Sequence, residues 1–294
     1  MRHRRRRRFV PPGIAASIRL AGQEAPCLTC RSTPSEPVTA MLPISFQLYS
    51  ARHFPPLEAQ LDWLAQCGYD AVEPWLPAYE ADPARFRRQI DAAGLACSGF
   101  HMPLAGLVAE PRRFFDIAQI LGTDTLIPPY LTPAERSITA DGWRRVGHQL
   151  AEGAAAAKAE GLKVAWHNHD FEYRRLEDGH RPIDLLLEAA GPGVDFEIDI
   201  GWVTRGWADP AQELTRYADR ITAIQLKDTA PAGTAADEGW AATGDGIIDW
   251  PSLAPLFGQT RAAVLVVEHD NPSDWKTFAA RSIGYIRRLV GERS

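Results

Sequence analysis

The chain has 294 residues, 45% of them hydrophobic, enough for one large core or two ordinary ones. No apolar run approaches the roughly 20 residues a membrane-spanning helix needs, so neither a membrane nor a membrane partner is expected. The net charge of −5 divides unevenly: residues 1–40 hold eight Arg against two Glu, which leaves −11 on the rest. That acidic body argues against nucleic acid as the main partner and suits a neutral sugar or a cation-dependent site.

Residues 1–40 lack apolar periodicity and are rich in Arg, Pro, Ser and Thr. They read as a disordered or artefactual extension, with Met41 as the natural start of a domain spanning 41–294. The Arg4 to Arg8 run lacks the apolar segment of an export signal, because Pro11-Pro12-Gly13 and Arg19 interrupt it. Cys27 and Cys30 form an isolated C-x-x-C whose spacing is read as accidental. Cys67 and Cys97 fall near core elements and read as small buried hydrophobes, which fits a reducing, cytoplasmic location.

From Leu42 onward, short apolar runs alternate with helical patterns. Ile44 to Tyr49 reads as the first strand and Leu57 to Cys67 as a helix with Leu57, Leu61 and Leu64 on one face. Tyr69 to Glu73 is the second strand. Asp82-Pro83 opens a helix to Ala93, an N-cap residue followed by proline at the first helical position. Leu95 to Phe100, Thr125 to Ile127 and Leu162 to His167 are the next strands, separated by helices over Pro111 to Leu121 and about Thr139 to Glu160. A helix from Ile183 to Ala190 precedes the strand Val194 to Asp199. Asp209-Pro210 opens a helix to Ala218, and Ile221 to Leu226 is the seventh strand. After a long loop come a helix from Trp250 to Phe257, the strand Ala263 to Glu268 and a closing helix from Asp274 to Leu289.

Eight strand–helix pairs over about 250 residues predict an α/β fold of the (β/α)8 TIM-barrel type, in one domain. A doubly wound open sheet is the alternative, but no strand leads into a G-x-G-x-x-G turn. In such a barrel the C-terminal strand ends form the active-site face. Those ends place Gln47, Tyr49, Glu73, His101, His167, His169, Asp199, Gln225, Lys227 and Glu268 as candidates, with His269 and Asp270 beside them.

Trp166-His167-Asn168-His169-Asp170-Phe171-Glu172 is the densest of these ends. His167 and His169 share one face of an extended chain, with Asn168 opposite. Asp195, Glu197 and Asp199 also share a face. Asp199, at the strand exit, is the better ligand candidate, while Asp195 and Glu197 are expected to meet solvent or a lower-layer ion pair. Lys227 alternates with Gln225 and can stabilise developing negative charge; its competing reading is a surface ion pair with Asp228. Glu268 ends a strongly apolar strand, where burial raises a carboxyl pKa and a metal lowers it, a balance suited to proton transfer. Gly244-Asp245-Gly246 reads as a flexible loop over the barrel mouth.

These strand ends resemble the xylose isomerase-like TIM barrels, specifically the sugar phosphate isomerase/epimerase group that includes inosose dehydratase. The resemblance runs from Leu42 to Val290. It is carried by Phe46-Gln47-Leu48-Tyr49-Ser50, Gly68-Tyr69-Asp70-Ala71-Val72-Glu73, His167-Asn168-His169-Asp170-Phe171-Glu172, Asp199-Ile200-Gly201, Leu226-Lys227-Asp228 and Val267-Glu268-His269-Asp270. It implies a divalent ion, Mn2+ before Mg2+ or Co2+, on His167, Asp199, Gln225 and Glu268. His167 stands where the family often has Glu, and Gln225 where it often has His. Trp202 replaces a histidine ligand of related endonucleases, which disfavours DNA repair.

The implied reaction is proton removal next to the carbonyl of a sugar or cyclitol. Glu268, His167 and Lys227 are the catalytic candidates, and Gln47, Tyr49, Glu73, His101, His169 and Lys227 would hold substrate. Isomerisation or epimerisation ranks first, a keto-sugar or inosose dehydratase or hydratase second, and a non-catalytic sugar-binding barrel third. A homo-oligomer is left open.

Overall fold

The computed structural model describes residues 42–291. The expectations for residues 1–40, including Cys27 and Cys30, lie outside the described residues.

The strands are β1 Ile44–Gln47, β2 Ala71–Glu73, β3 Ala96–Cys97, β4 Phe100–His101, β5 Thr125–Ile127, β6 Lys163–His167, β7 Asp195–Asp199, β8 Ile221–Gln225, β9 Asp228–Thr229, β10 Trp240–Ala241 and β11 Val264–Val267. The main sheet runs β3-β2-β1-β11-β8-β7-β6-β5-β4, and all its pairings are parallel. Its two end strands, β3 and β4, are halves of one chain segment interrupted at Ser98-Gly99. The sheet is therefore a nearly closed cylinder of eight staves with helices outside, the TIM-barrel fold.

The helices are α1 Leu57–Cys67, α2 Leu76–Tyr79, α3 Pro83–Ala93, α4 Leu104–Ala109, α5 Pro111–Leu121, α6 Ala140–Ala159, α7 Pro182–Ala190, α8 Ile200–Arg205, α9 Pro210–Arg216, α10 Trp250–Phe257 and α11 Trp275–Gly291. Side-chain caps set several of their starts. Asp82 accepts from Arg85 N, Thr139 from Gly142 N, Asp209 from Ala211 N and Asp249 from Ser252 N. No helix among the described residues is long and apolar enough to cross a membrane.

Three departures from the sequence expectation bear on the site. The third strand is not continuous. The break falls at Gly99, where a Cβ would lie 2.8 Å from Ile127 Cδ1 and push the end of that side chain aside. The first strand stops at Gln47, whose side-chain oxygen accepts from Tyr49 N and turns the chain into a 3-10 helix, Leu48–Ala51. The long loop after β8 contains an antiparallel hairpin, β9 with β10.

Candidate active site

The end of β6 and the end of β7 are tied together by Asn168. Its amide donates to Asp199 O at 3.2 Å, and Asp199 N donates back to Asn168 Oδ1 at 2.8 Å. This lock fixes His167 on one side and Asp199 on the other. Asp199 is also the N-cap of α8: its Oδ1 accepts from Trp202 N at 2.8 Å. Oδ2 is thereby left for another partner. Gly201 permits the tight exit, because a Cβ there would meet Lys227 O at 2.7 Å.

Register brings Gln225 level with Asp199 on β7 and with Val266 on β11. The Gln225 amide nitrogen donates to Glu197 Oε1 at 2.8 Å and lies 3.3 Å from Glu73 Oε1. Beneath the rim, Glu73, Gln47, His101 and Glu197 form one buried network. Gln47 donates to Glu73 at 2.8 Å, and His101 Nε2 sits 3.1 Å from Glu73 and 3.3 Å from Glu197. Burial and the neighbouring Glu197 charge push Glu73 up to about 7. Burial alone would lower His101, but the two carboxylates outweigh it and raise the imidazole to about 10. His167 has Nδ1 3.1 Å from Glu197 Oε1, and burial holds the ring well below its ordinary pKa, hence neutral.

On the opposite rim, Glu268 follows β11. Burial pushes its carboxyl up to about 7 against the lowering effect of Lys227. Lys227 is fully buried, with Nζ paired to Asp270 and lying 3.9 Å from Glu268 Oε2 and 4.0 Å from Asp199 Oδ2. Its ammonium also faces the rings of Trp202 and Trp240, at 4.7 and 4.4 Å from their centroids. Burial would lower Lys227, but the three carboxylates prevail and raise it, so it is a fixed cation.

Ten buried side-chain atoms among the described residues lack a hydrogen-bond partner, and they include Asp199 Oδ2, Gln225 Oε1, Glu268 Oε2 and His167 Nδ1, the last near Glu197 Oε1 but not in bonding geometry. Unpaired buried polar atoms are costly and rare, so several at one end of the barrel call for a missing partner. His167, Asp199 and Glu268 offer ligand atoms that all lie within 4.8 Å of one another. One imidazole nitrogen, two carboxylate oxygens and an amide oxygen form a donor set suited to a divalent metal of intermediate hardness. The residues fit such an ion.

The family model for the xylose isomerase-like TIM barrel matches residues 61–289. The chain belongs to that family. A curated relative, the inosose dehydratase of Geobacillus kaustophilus (strain HTA426), is 29% identical over 183 residues, or 55% of this chain. The match spans 58% of that relative, little more than half its length. Among solved structures, a sugar phosphate isomerase/epimerase from Parabacteroides distasonis ATCC 8503 has a TM-score of 0.72 at 20% identity, covering 86% of this chain and 97% of that one. The IolI protein with a bound zinc atom has a TM-score of 0.68 at 16% identity, covering 86% and 99%.

Within this family barrel, a cavity of about 730 Å³ opens above the site, and Tyr49, His101, His169 and Glu268 line it. Gln47, Glu73 and Lys227 do not reach that cavity; they lie beneath or behind its wall, each at most 1% exposed. His169 follows β6 in a loop and packs against Phe171, Tyr130 and Trp202.

Three expectations for neighbouring residues are corrected. Lys227 does not pair with Asp228 at the surface. Asp228 is itself fully buried, and its carboxylate accepts from Thr229 N, Gly244 N and Trp250 Nε1 at 2.7–2.9 Å. The same carboxylate pins the Gly244-Asp245-Gly246 segment, which is therefore an anchored turn. Glu197 does not meet solvent: it accepts from Gln225 and pairs with the protonated His101 inside the barrel, while Asp195 takes a separate pair with Arg261 at 2.9 Å. The alternation with Asp199 was the available signal that Glu197 points inward.

Proposed function

We propose that this chain is a divalent-metal-dependent enzyme that removes the proton next to a carbonyl in a sugar or cyclitol, leading to isomerisation or epimerisation. The observation that carries this reading is the unpaired buried atoms on His167, Asp199, Gln225 and Glu268, of which Glu268 lines the mouth cavity while the other three, at most 2% exposed, lie behind its wall. Those four residues would hold the ion. When bound, it would supply a Lewis acid for adjacent carbonyl and hydroxyl oxygens.

The protein's own groups carry the proton work. Glu268, partly desolvated, takes the proton from carbon. Lys227, held charged by Asp270, supplies a fixed positive field beside Glu268 and favours its ionised form. His101, held protonated by Glu73 and Glu197, faces the same cavity from β4 and can return a proton. Tyr49 and His169 are placed to meet substrate hydroxyls, while Gln47 and Glu73 act by positioning His101.

One observation favours loss of water as a second outcome of the same first step: the curated relative is named an inosose dehydratase. A base and a protonated imidazole lining one cavity would also serve elimination. Incubating a panel of keto-sugars and inososes with Mn2+-loaded protein in heavy water separates the outcomes. Deuterium in a product of unchanged formula supports isomerisation or epimerisation, and an enone-type product supports elimination. A panel with neither, on protein shown to contain metal, would leave a sugar-binding barrel as the better reading.

A further inference from the structure

Resting on the keto-sugar reading above, we infer that the substrate has two parts: an uncharged ring seated at the Glu268 floor, and an apolar or aromatic substituent, as in a keto-glycoside with an aryl aglycone. The two ends of the mouth cavity differ in chemistry. Its floor is polar, with Glu268, Asp270, His101 and His169. The rest of its lining sets apolar side chains beside Thr132, Glu135, Arg136 and Asp170. Trp75, Leu76, Met102 and Leu104 form one side, from the segments after β2 and β4, and Tyr130 and Phe171 the other.

Size points the same way. A volume of about 730 Å³ lies well inside the range that encloses drug-sized ligands, and a single sugar ring fills only a fraction of it. The apolar walls are continuous with the polar floor, so a ring held at Glu268 would direct its outward substituent between them. Trp75 is braced edge-on against Tyr49, with centroids 5.3 Å apart at 85°, and so offers a pre-set aromatic surface. Tyr130 is 42% exposed at the rim, an apolar area that an aryl group would cover.

Charge argues against a phosphorylated substrate. The cavity wall carries four carboxylates, Glu135, Asp170, Glu268 and Asp270, against one guanidinium, Arg136. Arg136 is already engaged: its guanidinium lies 3.7 Å over the Phe171 ring, and its Nε donates to Leu131 O at 2.9 Å. The protonated His101 is engaged too, by Glu73 and Glu197, so a phosphate ester would find no unengaged side-chain cation on the described wall.

The test is calorimetric binding of phenyl glucoside, methyl glucoside and glucose 1-phosphate to the Mn2+-loaded full chain. These are inert probes, so binding is read apart from turnover. The phenyl compound should bind on the order of tenfold more tightly than the methyl one, and the phosphate most weakly. Tyr130→Ala and Trp75→Ala, at exposed and half-buried positions, should each cut the phenyl preference at least threefold while leaving methyl glucoside binding in place. Equal affinity for phenyl and methyl, or tightest binding of the phosphate, overturns the inference. The heavy-water exchange on unsubstituted keto-sugars reports separately on the underlying reading, so either can fail while the other stands.

Discussion

Asn168 and Asp199 exchange hydrogen bonds in both directions, side chain to main chain, across the gap between β6 and β7. Neither residue is exposed to solvent. The pair converts two adjacent strand ends into one rigid platform, and the platform sets where His167 and the free Asp199 oxygen point. Asn168→Ala should therefore cost about 1–3 kcal/mol of stability, with a larger fractional loss in metal affinity than in fold content. Titration with Mn2+ beside thermal unfolding checks this. A variant with normal metal affinity would show that the lock does not orient the ligands.

Glu268→Gln keeps the size of the side chain and removes the base. Deuterium exchange into a bound keto-sugar should fall on the order of 10²–10⁴-fold, with sugar binding largely retained. Isothermal binding and exchange measured on the same preparation separate the two effects. Full exchange in this variant would reassign the proton transfer to His101 or His169.

Gln225 contributes a neutral amide oxygen where an imidazole would bind a transition metal more strongly. Chelator treatment should lower the melting temperature, and Mn2+ should restore it by mass action. Gln225→His should tighten the metal and make it harder to strip. It also removes the amide that bonds Glu197, so some loss of metal-free stability is expected alongside. Metal content after dialysis, measured by elemental analysis for both proteins, decides the matter; weaker retention in the histidine variant would count against Gln225 as a ligand.

The barrel was legible because its strands and caps are written locally: apolar runs of strand length, proline after aspartate at helix starts, glycine at helix ends. The strand ends were legible for the same reason, since polar residues stood out where each apolar run stopped. Residues whose role depends on the layer beneath were harder. Glu197 is one pleat below Asp199, and only the barrel's register shows that it bonds Gln225 and approaches His101 and His167. Asp228 looked like a partner for Lys227 because they are adjacent in sequence. Adjacent residues at a strand end face opposite ways, and Asp228 instead gathers main-chain N–H groups from a turn some 16–20 residues downstream. The short helices α2, α4 and α8 were missed because each is six residues or fewer, too short for a periodic signal.

The metal-free protein should lose stability as pH rises from about 6.5 to about 8. Glu172 is fully buried, accepting from His169 N and Trp166 Nε1, and desolvation raises its carboxyl to about 8. The native state therefore holds a proton that the unfolded chain releases near the ordinary value of 4.5. More protons on the native state means stability falls with pH, by up to about 1.4 kcal/mol per pH unit per proton. His101, raised to about 10, acts in the same direction above 6.5, because its protonated form is favoured on folding. His167, His169 and His269 are lowered by burial and act in the opposite direction, but only below about 6.5, where the unfolded chain takes up protons that they refuse. Denaturant unfolding at fixed pH steps, in chelator, measures the slope. Glu172→Gln should reduce it by about one proton between pH 6.5 and 8, whatever offset the variant shows in overall stability. A slope that rises with pH in this window, or one unchanged by the substitution, would mean that Glu172 is ionised in the folded protein and that its burial is offset by a partner other than a proton.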